Sequence, residues 1–193
     1  MLKIKYLKII SLFRTVSVEE IFFYHLWKPL WIRFYYIAFK PFYGYLGKNV
    51  YVSPSATVVW KKYISLGEGS TINKGCVINV GSLTTGRNFS LGFNSCILGG
   101  ATIGDNVMTG PNVTIVGGNH GIKLNGVPMN KQPCSGEGVI IMNDVWIGAN
   151  SVILDKSYIE DHCVIGASSV VRSRVESKSI AVGSPAKTIK YRE

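Results

Sequence analysis

The hydrophobic and polar positions of this chain follow a six-residue period over most of its length. A large aliphatic residue or a threonine opens each unit, and a small or β-branched residue comes four positions later. The opening positions are Val52, Val58, Leu66, Ile72, Ile78, Thr85, Leu91, Ile97, Ile103, Thr109, Ile115, Ile141, Ile147, Ile153, Ile159, Ile165 and Val171. The small positions include Val107, Val113, Val145, Ser151, Ser157, Cys163, Ser169 and Val175. The phase slips by one residue near Thr84. This period matches neither an α-helix nor a simple alternating strand.

A six-residue unit has room for one short strand and one turn. Three units, about 18 residues, then complete one turn of a triangular coil. The aliphatic residue points into the prism, while glycine and asparagine accept the tight corner conformations. Each coil forms its backbone hydrogen bonds with the next coil. We therefore expect an all-β solenoid, a parallel β-helix, over residues 49–193, with between five and six coils between residues 50 and 185.

The repeat is broken once, from about residue 120 to residue 138. This segment has the mixed polarity of a surface loop, and the period resumes at Ile141 and then runs to Val171 without slipping. The chain must therefore leave the prism and return to it. Loops of this length in compact domains are usually functional or disordered. His120 is the last residue before the break, which makes it the first candidate for chemistry.

Residues 1–48 have a different composition from the repeat. They hold 14 of the 22 aromatic residues and 2 of the 21 glycines, with eight lysines and arginines against two acids. Residues 17–20 match the capping-box pattern, which predicts a helix that bends near Pro29 and continues to Lys40. Its charges exclude a membrane span. Two interpretations stay open: the aromatic residues pack on the solenoid or on a neighbouring subunit, or residues 1–40 contact a membrane surface peripherally.

The formal charge of +10 and the pI of about 9.5 indicate an anionic partner. Nucleic acid, lipid headgroups and a phosphorylated cofactor all qualify. We expect no nucleic acid, because the charge is spread over the helix and the tail without a recognised motif. The four cysteines fit free thiols in a reducing compartment, and they lack metal-binding spacing. Because the first 14 residues do not resemble a signal peptide, we expect a cytoplasmic protein. If its N-terminal helix contacts lipid, the protein would be peripheral at the inner membrane face.

Several motifs carry a family resemblance. They are residues 86–94, residues 103–115, Asp144-Val-Trp-Ile-Gly-Ala149, residues 165–171 and Gly183-Ser-Pro-Ala-Lys187. In this order, with His120 and the loop between the second and third, they resemble the hexapeptide-repeat acyltransferases. That family includes galactoside, maltose, serine and xenobiotic acetyltransferases. The resemblance implies a left-handed β-helix and a homotrimer whose active site lies between two subunits.

The resemblance also implies the chemistry. These enzymes move an acetyl group from acetyl-coenzyme A directly to a hydroxyl or an amine, and no metal is required. His120 matches the catalytic histidine, whose imidazole removes the acceptor proton. A backbone amide of Gly148 or Ala149 is expected to stabilise the oxyanion. His25 and His162 lack such a setting, and we interpret them as structural or solvated.

The expected cofactor and acceptor residues come from the same matches. The pantetheine arm of the coenzyme is expected to lie along the small residues of the coils. The coenzyme phosphates are expected to lie near lysine and arginine side chains. Asn94 and Trp146 are the acceptor-side candidates. The cofactor-binding candidates are Gly148, Ala149, Ala167, Arg172, Ser173, Lys187 and Lys190. Two departures stand out. The asparagine that positions the acetyl group in galactoside enzymes falls at Gly92, and residues 155–158 replace the usual Pro-Gly-Val turn.

The function expected from these features is O-acetylation of a sugar hydroxyl in capsular or exopolysaccharide biosynthesis. Alternatives are a small-acceptor acetyltransferase, acting on a nucleotide-amino sugar, serine or an antibiotic, and a non-catalytic hexapeptide scaffold. A zinc carbonic anhydrase would need several converging histidines, and His120 alone is placed for that role.

Overall fold

The computed structural model describes residues 26–193. Within them one α-helix, α1 (Lys28–Phe39), precedes nineteen β-strands. The strands are β1 (Tyr45–Leu46), β2 (Tyr51–Val52), β3 (Thr57–Val59), β4 (Ile64–Leu66), β5 (Thr71–Ile72), β6 (Val77–Thr85), β7 (Ser90–Leu91), β8 (Cys96–Ile103), β9 (Met108–Thr109), β10 (Thr114–Gly117), β11 (Val139–Ile141), β12 (Trp146–Ile147), β13 (Val152–Ile153), β14 (Tyr158–Ile159), β15 (Val164–Ile165), β16 (Val170–Val171), β17 (Arg174–Val175), β18 (Ser179–Gly183) and β19 (Ala186–Tyr191). One-turn 3-10 helices span Lys40–Phe42, Lys61–Tyr63 and Met129–Lys131.

The strands stack in parallel on three faces of a solenoid. Face 1 holds β2, β5, β7, β9, β12, β15 and β18, with β19 added antiparallel at its end. Face 2 holds β3, β10, β13, β16 and the first halves of β6 and β8. Face 3 holds β1, β4, β11, β14, β17 and the second halves of β6 and β8. The parallel solenoid is confirmed, and its seven rungs on face 1 exceed the expected five to six coils.

The interior of the solenoid is formed by the six-residue repeat. Each opening position named above is at most 9% exposed, and each small position named above is at most 5% exposed. The expected one-residue slip is a register irregularity in β6 between Asn79 and Ser82. A bulge at that edge absorbs the extra residue. The hexad phase read from the sequence is therefore the phase of the core.

The corners of the solenoid have the backbone that the sequence predicts. Asn88, Asn106, Asn112 and Asn150 have φ between 57° and 59°, in the left-handed region that asparagine tolerates. Their side chains also join successive coils, as in the 2.9 Å hydrogen bond from Asn88 Nδ2 to Asn106 Oδ1. Asparagine thus adopts the left-handed backbone of the corner and also hydrogen-bonds the next coil.

Helix α1 packs against the first coils through one side. Trp31 Nε1 donates a 2.7 Å hydrogen bond to the Val52 carbonyl, and the buried hydroxyls of Tyr35 and Tyr43 lie 2.7 Å apart. This contact agrees with the interpretation of the aromatic residues as packing on the solenoid. Pro29 lies in the first turn of α1, where its missing N–H breaks no helical bond. The bend expected near Pro29 involves residues before 26 and stays a prediction. The capping box at residues 17–20 lies outside the described residues.

The opposite side of α1 carries an exposed apolar stripe. Leu30, Phe34 and Ile37 are 64%, 56% and 77% exposed. Their spacing places them on one face of the helix, away from the side that packs on the solenoid. Between residues 26 and 193, no helix is long and apolar enough to cross a bilayer.

Two adjacent isoleucines of β11 provide a matched test of the core. Ile141→Ala should lower the free energy of unfolding by about 2–5 kcal/mol, because Ile141 is 1% exposed and its loss leaves a cavity. Ile140→Ala should change the same quantity by about 0.5 kcal/mol or less, because Ile140 is 38% exposed. Urea denaturation followed by circular dichroism measures both. Equal losses would contradict the assigned strand phase.

Candidate active site

The extruded loop leaves and rejoins the solenoid at the edge between faces 2 and 3, which we call the loop edge. Strand β10 ends at Gly117 beside Gly99, and β11 begins at Val139 beside Ala101, so both ends of the loop sit on the same preceding coil. A Cβ on Gly117 would lie 1.8 Å from the Gly100 carbonyl oxygen. Glycine is therefore required where the chain departs.

The loop has its own internal structure. Asn119 and Ser135 form an antiparallel bridge, with N···O distances of 2.6 Å and 2.8 Å. Nearer the tip, the buried Gln132 side chain donates to the carbonyls of Lys123 and Val127, at 2.8 Å each. These contacts give the base and the middle of the loop a defined shape.

His120 follows the bridge directly, and its imidazole is exposed. Its Nδ1 lies 3.4 Å from the Sγ of Cys134, which is also exposed. Nothing in the sequence pattern marked Cys134 as a neighbour of the histidine, since the two are brought together by the antiparallel pairing of the loop ends. Within residues 26–193 no carboxylate hydrogen-bonds the imidazole. The histidine is thus an accessible nitrogen base beside a thiol.

The predicted row of small residues lies on the edge between faces 1 and 2, which we call the alanine edge. The Ser168 N–H donates to the Ala149 carbonyl at 2.8 Å, so that Ala149 and Ala167 sit on successive coils. A Cβ on Gly148 would lie 2.5 Å from the Ala167 nitrogen. The turn that begins at Gly183 closes this edge, with the Gly183 N–H bonded to Ser169 Oγ at 3.1 Å.

The two candidate oxyanion donors differ in availability. The Gly148 N–H donates to the Ile165 carbonyl at 2.7 Å inside the ladder. For the Ala149 N–H, the described part of the chain shows no acceptor. Ala149 is therefore the better placed of the two to stabilise a developing negative charge.

The remaining predicted residues are divided among the surfaces of one chain. Asn94 is exposed on the alanine edge, two coils before Ala149. Trp146 lies on face 1 and is 48% exposed. Lys187 and Lys190 lie on β19, across from Val182 and Ile180, and both are exposed.

Arg172 and Ser173 are exposed on the loop edge, the same edge as His120. One face of the prism separates this edge from the alanine edge. At about 3.3 Å per residue of strand, that distance is on the order of 15–20 Å. A single chain therefore keeps the histidine apart from the expected pantetheine row.

The other described histidine has a structural setting. His162 sits at a corner with φ of 63°, and its Nδ1 lies 2.8 Å from Asp144 Oδ2. The hydrogen bond from His162, followed by the nearby Arg192, holds the pKa of the Asp144 carboxyl below its usual value. His25 lies outside the described residues. Among residues 26–193, no three His, Cys, Asp or Glu side chains group together as a metal site.

A parallel triangular solenoid built from six-residue units is the architecture of hexapeptide-repeat proteins. The family profile described as "Bacterial transferase hexapeptide (six repeats)" matches residues 138–173. The galactoside O-acetyltransferase of Escherichia coli K12 is 34% identical over 146 residues, which span 72% of this chain and 69% of that protein. The chain belongs to the hexapeptide-repeat acetyltransferases, and it is an acyltransferase with the left-handed β-helix of that family.

Two solved structures are similar to this fold. A maltose O-acetyltransferase from Clostridium difficile 630 aligns with a TM-score of 0.59 at 29% identity, covering 79% of this chain and 72% of that one. The N-acyltransferase AntD from Bacillus cereus, solved as a point mutant in complex with dTDP and coenzyme A, aligns with a TM-score of 0.74 at 24% identity. That alignment covers 81% of this chain and 88% of the AntD chain, and it supports the fold.

The four thiols should differ sharply in reactivity. Burial raises the pKa of the Cys76 and Cys163 thiols, so that little thiolate is present near neutral pH. Cys96 is half-buried and Cys134 is exposed. Titration of the folded protein with a disulfide reagent at about pH 7.5 should label Cys134 first, and Cys134→Ser should remove the fastest phase. Persistence of that phase in Cys134→Ser would contradict the exposure of this thiol beside His120.

Proposed function

We propose that this enzyme transfers an acetyl group from acetyl-coenzyme A to a sugar hydroxyl, with His120 as the general base. The observation that carries the proposal is the exposed imidazole at the base of a structured loop, on a solenoid of the acetyltransferase family. The loop can then form the acceptor side of the pocket, and the smooth coil surface the cofactor side. The sugar class follows from the galactoside and maltose enzymes that this chain resembles.

The chemistry needs one base and one set of amide donors. His120 accepts the proton of the acceptor hydroxyl while that oxygen attacks the thioester carbonyl carbon. The oxyanion that forms is stabilised by the Ala149 N–H. When the oxyanion collapses, the carbon–sulfur bond breaks and the proton held by His120 passes to the coenzyme A sulfur. The acetylated sugar and the free thiol leave, so that no acyl-enzyme is required.

The division of the candidates between two edges supports a homotrimer. His120 and Ala149 of one chain are a prism face apart, so a complete site requires that one chain supply the loop edge and a neighbour supply the alanine edge. Arg172 on the loop edge and Lys187 near the alanine edge would then converge on the coenzyme phosphates from both chains, with Lys190 farther along β19 on face 1. Flat, parallel faces favour such cyclic packing.

The exposed apolar stripe of α1 suggests that the enzyme binds its acceptor at a membrane surface. Leu30, Phe34 and Ile37 form an apolar surface, and the exposed Arg33 and Lys40 lie along one border of it. An apolar stripe bordered by cations on one side suits the cytoplasmic surface of an anionic membrane. A peripheral enzyme there would act on saccharide intermediates held on lipid carriers, as in capsular or exopolysaccharide biosynthesis.

Removing the imidazole tests the mechanism directly. His120→Ala should lower kcat by about 100-fold or more, since positioned general bases contribute on that scale. Coenzyme A affinity, measured by calorimetry, should change by less than about twofold, because the base acts on the acceptor proton. His162→Ala is the matched control, because its ring bonds Asp144 at a coil corner and should leave turnover unchanged. Unchanged turnover in His120→Ala would contradict the proposed mechanism.

The acceptor class is tested with the same preparation. Mass spectrometry of glycans, amino sugars, serine and chloramphenicol incubated with acetyl-coenzyme A should show a gain of one acetyl group on a sugar oxygen. An alkali-labile ester on a sugar oxygen supports the proposed acceptor class, whereas an alkali-stable amide, or an ester on serine or chloramphenicol, would favour the small-acceptor alternative. Lack of transfer to any acceptor by an enzyme that binds coenzyme A would favour the scaffold alternative.

The membrane contact predicts a change confined to liposome binding. Replacement of Leu30, Phe34 and Ile37 by serine should reduce cosedimentation with anionic liposomes at least about tenfold, because burial of apolar area drives insertion. The control replaces Ile122 and Leu124, two exposed apolar residues of the extruded loop, with serine. Equal binding by the helix variant and the parent chain would contradict a role for α1 at the bilayer.

A further inference from the structure

Asp155 lies at the loop edge one coil beyond the extruded loop, and its carboxylate contacts both ends of that loop. Oδ2 accepts a 3.0 Å hydrogen bond from Asn119 Nδ2. Oδ1 accepts hydrogen bonds from the backbone N–H groups of Glu137 and Gly138, at 3.0 Å and 2.8 Å. Asn119 immediately precedes His120, and Glu137 and Gly138 are the last two residues before β11. We propose that Asp155 is a positioning residue that fixes His120 for acetyl transfer by holding the loop ends together.

The burial of Asp155 makes these contacts consequential. The residue is 9% exposed, and a buried carboxylate without partners is strongly disfavoured. Its three hydrogen bonds are charge-assisted, which makes them stronger than neutral ones. The carboxylate therefore favours the arrangement in which both loop ends lie against the solenoid. Loss of this acceptor would leave three donors at the loop base to find water or another partner.

Neighbouring contacts show that the same point anchors the whole base of the loop. The Lys156 N–H donates to the Gly138 carbonyl at 2.9 Å, and its ammonium lies 2.7 Å from the Glu137 carboxylate. A Cβ on Gly136 would lie 2.6 Å from the Gly117 carbonyl oxygen and 3.1 Å from Asp155 Oδ1. The C-terminal end of the loop at Gly136 therefore packs closely against its N-terminal end at Gly117, next to the Asp155 carboxylate.

The route from Asp155 to the imidazole is short. Asn119 forms the antiparallel bridge with Ser135, the residue after Cys134, and Cys134 Sγ contacts the His120 ring. Asp155 touches neither the imidazole nor the expected reacting atoms. Its effect must pass through the bridge, which makes it a positioning residue.

This inference rests on the proposed role of His120, and its test measures kcat and KM separately. Asp155→Ala should lower kcat by about 10- to 100-fold, the scale expected when a catalytic group shifts by about an ångström. The KM for acetyl-coenzyme A should stay within about twofold, because the pantetheine row lies on another edge and, among residues 26–193, no hydrogen bond or ion pair joins Asp155 to Arg172. Asp155→Asn keeps one acceptor oxygen for the two backbone donors, and it should recover most of the lost kcat.

A matched control separates positioning from general stability. Asp161 also accepts hydrogen bonds from a backbone N–H and an asparagine amide, at 2.8 Å and 2.9 Å from Asn143, but it lies on the edge between faces 3 and 1. Asp161→Ala should leave kcat within about twofold. If Asp155→Ala and Asp161→Ala lower kcat equally, the positioning role is overturned. The double variant Asn119→Ala, Asp155→Ala should be no slower than Asp155→Ala alone, because both break one contact chain.

A readout independent of turnover distinguishes failure of this inference from failure of the proposed function. The rate at which a disulfide reagent labels Cys134 should rise several-fold in Asp155→Ala and stay at the parent rate in Asp161→Ala. If His120→Ala retains turnover but the Cys134 rate rises in Asp155→Ala, the general-base mechanism fails and the contact between Asp155 and the loop ends stands. If His120→Ala abolishes turnover while Asp155→Ala keeps both the parent kcat and the parent Cys134 rate, the inference is overturned.

Discussion

The parallel hydrogen-bond ladder between coils is the interaction on which the rest of this structure depends. Each strand pairs with the strand one coil later, and its inward residue must stack on the equivalent residue of that coil, as Ile147 does on Ile165. A shift of one residue would turn a buried isoleucine outward. Insertions are therefore confined to the edges, where the chain turns and ladder bonding is interrupted. The extruded loop obeys this constraint, since Ile103 still pairs with Ile141 across it.

The ladder also explains the distribution of small residues. Where two coils meet at a corner, the backbone of one approaches the next so closely that a side chain has no room. A Cβ on Gly92 would lie 2.1 Å from the Gly110 carbonyl oxygen. The same close approach of the backbones accounts for the small residues Gly148, Ala149 and Ala167 along the alanine edge. A surface suited to an extended pantetheine arm can thus arise from the packing needs of the coil itself.

The sequence predicted the fold more fully than the site, and the reason is physical. A six-residue period states which residues point inward, and every such position named for the repeat is buried. It does not state which of three edges a residue occupies, because the coils at the N-terminal end are longer than the ideal coil by one or two residues. Tyr51 pairs with Thr71 and Thr71 with Ser90, whereas Trp146 pairs with Val164. The separation of His120 from the alanine edge therefore emerged only in three dimensions.

The contacts within the loop were still less accessible to sequence reasoning. Cys134 and His120 meet because an antiparallel bridge folds the loop on itself, and a solenoid repeat contains no signal for that pairing. Asp155 was visible in the sequence as a departure from the usual Pro-Gly-Val turn, but its partners lie 36, 18 and 17 positions earlier. The buried carboxylate of Asp155 lies where the ladder meets the loop, and it bonds both loop ends to the coil. Under the proposed function this contact fixes the base of the loop beside His120, while residues nearer the tip, such as Leu124, are exposed to solvent.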